Sequence, residues 1–139
     1  MNERASFLAA VQLLEDAVIS GQRLVEWVPP ERTSEGHWTM GWPRYDDVLF
    51  DALVATSELL DSTGLGPFRS EEPLESPGAV DAASLWHVAC FLQTILRRER
   101  FIDGLIGHHL EAGSLLAAAL RLREAMVGPD QPNPAGAEA

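Results

Sequence analysis

Residues 97–109, RRERFIDGLIGHH, gather three arginines, Asp103 and two histidines within thirteen positions. These side chains bind anions, pair with carboxylates or ligate metals. On a helical projection, at about 100° per residue, Arg97 and Arg100 lie with Trp86, Cys90 and Gln93, whereas Arg98 points with His87 and Thr94. Two inward guanidinium groups need carboxylate partners, because breaking a buried pair typically costs about 3–5 kcal/mol. Asp103, or an acid from the segments upstream, can supply one. Arg97 and Arg100 then form either a structural ion-pair network or a corner that holds a small phosphate or carboxylate. A purely structural account also covers the stretch: arginines in a last helical turn complement the macrodipole, and Asp103 is placed to cap a helix beginning at Gly104.

Residues 29–45, PPERTSEGHWTMGWPRY, have no hydrophobic period yet carry Trp38, Met40, Trp42 and Tyr45. Large rings gain from burial, so this loop is expected to fold over the core or to form an aromatic wall around a ligand. The candidate ligand-binding set is therefore Trp38, Trp42, Tyr45, Arg97, Arg100 and Asp103. No metal site is expected: His108 and His109 are consecutive and point about 100° apart on a helix, and no His-Glu-x-x-His pattern is present. Cys90, the sole cysteine, reads as a core thiol. The chain has no lysine, which excludes Schiff-base and lysine-base chemistry. No Gly-rich phosphate loop, serine elbow or acid pair is present, so no cofactor is expected and no catalytic set can be assigned.

The elements that must position these residues follow from periodicity. A first helix is expected over 3–27, with Phe7, Val11, Leu14, Val18 and Val25 inward and Gly21 on the same stripe, where a neighbouring backbone would approach closely. Val28 before Pro29 and Pro30 stops it. A second helix over 47–62 is capped by Asp46 and left at Gly64, with Leu49, Leu53, Thr56 and Leu60 inward and Phe50 and Leu59 beside them. The connector that follows, GLGPFRSEEPLESPGAV, reads as mobile. Asp81 caps a third helix, apolar on so many sides that it should be central. Two shorter helices over 104–112 and 114–127 are separated by Gly113, the last built on Leu116, Ala119, Leu120 and Met126. Residues 128–139 read as a disordered tail. The expected architecture is all-α, an irregular or orthogonal bundle of about five helices in one domain over 1–127.

Across 139 residues, 21 acids against 10 arginines give a formal charge of −11. That field repels phosphate backbones and anionic lipid, so direct nucleic-acid binding is not expected. No window approaches the roughly 18 apolar residues of a membrane span, and the N-terminal sequence lacks a signal-peptide pattern. The chain reads as a cytoplasmic, non-enzymatic interaction or regulatory protein with a protein partner or a second copy of itself. The alternative is a binder of, or enzyme for, an anionic small molecule.

The segments LQTILRRERFIDGLIGHHLEAGSLLAAALRLRE and MGWPRYDDVLFDAL together resemble the bacterial family designated domain of unknown function 6508. The positions that carry the resemblance are Pro43, Tyr45, Thr94, Arg97, Arg100, Phe101, Asp103, Gly104 and Gly113, over roughly residues 40–127. The resemblance implies an all-helical fold and brings no activity, substrate or cofactor with it.

Overall fold

The first helix, α1 (Glu3–Ile19), starts where the Asn2 side chain accepts from the Ala5 amide at 2.8 Å. It buries Phe7, Val11, Leu14 and Ala17. It ends eight residues earlier than its apolar stripe implies, because Gly21 turns left-handed (φ 78°). The amides of Gly21 and Gln22 then return to the carbonyls of Val18 and Ala17, a Schellman closure that satisfies two orphan acceptors. Gly21 is thus a helix stop rather than a point of close approach: a Cβ there would meet nothing within 4 Å. Val18 correspondingly sits at the surface.

The computed structural model describes residues 2–66, 72–99 and 104–127. After α1 come two antiparallel strands, β1 (Val25–Val28) and β2 (Trp42–Tyr45), with Val25 opposite Tyr45 and Val28 opposite Trp42. The fold is therefore mainly helical with a small sheet, not all-α. Pro43 is tolerated because a two-stranded sheet consists only of edges. Residues 29–41, between the strands, prolong the hairpin through an Arg32–Trp38 bridge and through bonds joining Glu31 to Thr39 and Thr33 to His37.

Helix α2 (Asp47–Thr63) matches its sequence signals: Asp46 caps it, Gly64 (φ 67°) ends it, and Leu49, Leu53, Thr56, Leu59 and Leu60 face inward. Phe50 departs from expectation and is more than half exposed. Parts of the connector are well anchored, since Leu65 and Leu74 are buried. A short helix, α3 (Pro77–Ala82), begins at Ser76 with proline in its first turn. Asp81 lies inside α3, and the cap of the next helix is Ser84, whose hydroxyl accepts from the His87 amide. That helix, α4 (Leu85–Arg98), is buried without interruption from Val88 to Ile95 and packs on α2, α5 (Leu105–Ala112) and α6 (Ser114–Val127). That unbroken burial matches the apolar character its sequence shows on many sides. Helix α6 packs on α1, α3, α4 and α5, burying Leu115, Ala118, Ala119, Leu122 and Met126. Leu116 and Leu120 are only half-buried, so its inner face is rotated from the expected one. Residues 128–139 lie outside the described residues.

The core joins residues from all six helices in one cluster. A close joint in it is Gly66, where a Cβ would stand 2.4 Å from the Ala89 carbonyl carbon on α4. Gly66→Ala therefore combines overpacking with a left-handed backbone and should destabilise by about 3 kcal/mol or more. Gly21→Ala, left-handed but in open space, should cost about 1–2 kcal/mol. Urea denaturation of the two variants checks this ranking.

Candidate functional site

Helix α4 ends at the arginine stretch, and what it presents there differs from the projection. Arg97 is exposed, and Arg98 is the half-buried one. Arg98 lies with Phe91, Thr94, Leu105, His109 and Pro73 around a cavity of about 60 Å³, well below the several hundred Å³ of a ligand pocket. The reversal has a physical cause: packing against α5 makes the Thr94 side of α4 the inner one at its C-terminal end. Arg100 and Asp103 lie outside the described residues. Asp61 of α2 accepts from Gln93 Nε2 at 3.3 Å.

The organising group at this corner is Glu99, which sequence reasoning passed over. One carboxylate oxygen accepts from Tyr45 Oη at 2.6 Å and from the Ile106 amide at 2.7 Å. The other accepts from the Gly104 amide at 3.1 Å. The N-cap residue of α5 is Gly104, which has no side chain to offer, so Glu99 answers the orphan amides that Asp103 was expected to serve. Of the predicted aromatic wall only Tyr45 reaches this corner. Trp38 is 69% exposed and Trp42 47%, because both ride on the projecting hairpin rather than over the core. Among the described members of the predicted set, Trp38, Trp42 and Arg97 are exposed and Tyr45 meets Glu99.

A second grouping was not foreseen. Glu75, just before the Ser76 cap, meets His108 and His109 of α5, and one donor atom from each lies within 4.8 Å of the others. His108 Nε2 contacts Glu75 Oε2 at 3.0 Å. The two histidine rings are edge to face with centroids 4.9 Å apart, so the expected divergence along the helix does not separate them. His109 is 2% exposed and stands edge-on to Phe91. Its Nδ1 meets Ser114 Oγ at 3.0 Å, and that hydroxyl donates to the His109 carbonyl at 3.4 Å. Burial pushes the His109 pKa below its ordinary value near 6.5, with Glu75 opposing and His108 adding to the shift. The signal for this grouping is not local, because Glu75 and His108 are 33 positions apart.

A model of the family of unknown function DUF6508 matches residues 4–127. No curated protein and no solved structure matches the chain. No helix among the described residues is long and apolar enough to cross a membrane.

Glu99→Ala should cost about 2–4 kcal/mol in chemical denaturation, through three lost acceptor bonds, and Tyr45→Phe about 1–2 kcal/mol. The two should be non-additive in a double-mutant cycle, since they share a bond. For His109 the unfolded chain binds the proton more readily than the folded one, so stability is full above about pH 6.5 and falls as pH drops toward the lower folded value. Urea titrations between about pH 7.5 and 5, with a chelator present so that only protons compete for the ring, should show that slope, and His109→Leu should reduce it.

Proposed function

The chain belongs to the family of unknown function DUF6508, and since membership assigns no activity we propose, from its own surface, that it is a non-enzymatic protein-interaction module docking through the β1–β2 arm. The observation that carries this is the apolar surface of that arm: Trp27 is 56% exposed, Trp38 69%, Met40 83% and Trp42 47%. Positions 38, 40 and 42 alternate, the spacing that places side chains on one side of an extended chain. Fully burying one such side chain is worth about 1.5–3 kcal/mol, and tryptophan is enriched among residues that dominate binding. Trp27, paired with Pro43, lies on the other face of the arm from Trp42, so positions 38, 40 and 42 form the exposed apolar face of the kind that marks interaction sites.

The arm is built to be presented. Its tip is held by its own backbone bonds, its base is closed by the Asp46 amide on the Leu24 carbonyl at 2.9 Å, and the Tyr45–Glu99 bond fixes it to the bundle. At that base an apolar groove runs from Tyr45 past Phe50, Val54 and Leu96. A partner with a ring-accepting surface and a neutral or basic rim fits a chain of net charge −11. An anionic-ligand pocket has less support, because Trp38, Trp42 and Arg97 face solvent.

The test compares the wild-type chain with the double variant Trp38→Ala, Met40→Ala and with a control, Ile19→Ala, an exposed apolar residue on α1. Partner capture from extract, followed by affinity measurement and sedimentation velocity, should show association weakened about tenfold or more by the double variant only. Its melting temperature should stay within a few degrees, as for other surface changes. Equal association by the double variant and wild type overturns the reading.

A further inference from the structure

We propose that Glu75, His108 and His109 form a binding site for a divalent transition-metal ion of the zinc class. The donor set fixes that class: two imidazole nitrogens with one carboxylate suit zinc and its neighbours, whereas calcium and magnesium take oxygen ligands. Three protein donors leave a fourth position for water or a substrate atom.

The geometry is close to what such an ion needs. Ligand atoms around a tetrahedral ion with bonds of about 2.0–2.1 Å stand roughly 3.3 Å apart. His108 Nε2 and Glu75 Oε2 are already 3.0 Å apart, bridged by the single proton that an ion would replace. The remaining closure, from at most 4.8 Å, falls to Glu75 and His108, whose side chains are 58% and 60% exposed and can turn without disturbing the core. His109 is the rigid member. Ser114 Oγ lies 3.0 Å from its Nδ1, the kind of outer contact that orients a metal-ligating histidine.

The scaffold brings Glu75 to α5 from a distant part of the chain and keeps it there. Leu74, its neighbour, is buried at 5% exposure. Pro77 presses on Gly113 at the α5–α6 junction, where a Cβ would come within 3.1 Å of Pro77 Cγ. Arg121 of α6 donates to the Val80 carbonyl of α3 at 2.7 Å. These three ties bracket Glu75 on both sides. None of them is needed for the docking arm, so the site stands independently of the function proposed above.

The experiment uses the full, untagged chain stripped with chelator and titrated with Zn²⁺ against a chromogenic competitor, then with Co²⁺ read by visible absorption. Saturable binding at one ion per chain is expected, in the micromolar range or tighter, with a Co²⁺ spectrum of a low-coordinate nitrogen–oxygen site. Glu75→Ala and His108→Ala change exposed residues, keep the apo melting temperature, and should each weaken binding at least about tenfold, as should Ser114→Ala through the outer bond. His37→Ala, which removes a histidine of the arm, should change nothing. Absence of one-to-one binding, or binding untouched by both Glu75→Ala and His108→Ala, overturns the proposal. Loss of binding in His37→Ala overturns it equally, by moving the ion elsewhere.

Discussion

A single carboxylate joins the parts of this molecule that sequence keeps apart. Helix α5 begins at a glycine and has no side chain of its own to satisfy its first amides, so it depends on Glu99 from the end of α4. The same group accepts the Tyr45 hydroxyl and so ties the hairpin to the helices. Charge-assisted bonds of this kind are about twice as strong as neutral ones, and an acid at a helix N-terminus gains further from the macrodipole. The direction of α5, and with it the place of His108 and His109, rests on that group, as does the angle of the arm.

How legible the fold was depended on whether each signal was local. Helix α2 could be read between Asp46 and Gly64 because both caps act within one turn, and the burial of α4 could be read because apolar residues fill its middle on every side. The end of α1 was not legible, since Gly21 falls on the apolar stripe and only the fold shows its left-handed turn. The strands were missed because each is four residues long, one contains a proline, and they find each other across residues 29–41. Sequence could place Tyr45 near the arginine corner but not the tryptophans, whose exposure depends on how the hairpin leaves the bundle. Arg97 and Arg98 exchanged roles because a projection treats a helix as isolated, while α5 decides which side is inside. Glu99 had one usable clue, an acid five positions before a glycine that opens a helix. The cluster of Glu75 with the histidines had none, because it is assembled by the burial of Leu74 and the seating of Pro77.

The molecule divides its labour between two regions. Its bundle is closed by close-packed joints such as Gly66 on Ala89, with polar crossings between helices such as those from Arg123 to Glu15 and Gln12. The hairpin contributes little to that core and carries much of the exposed aromatic surface. Its Arg44–Glu26 pair, at 2.6 Å but largely solvated, orders the strands more than it stabilises them. Stability is concentrated in the helices, and the surface available for recognition is held outside them.

Cys90 gives this arrangement an internal clock. The thiol is the chain's sole cysteine and is wholly buried in α4, so a reagent that alkylates thiols must wait for α4 to leave its neighbours. The rate of labelling under native conditions therefore counts excursions of the core itself, uncontaminated by motion of the arm. A molecule bound at the arm would leave that rate alone unless its grip were transmitted through Tyr45 and Glu99 into the helices, which makes one sulfur atom a gauge of whether the two regions communicate.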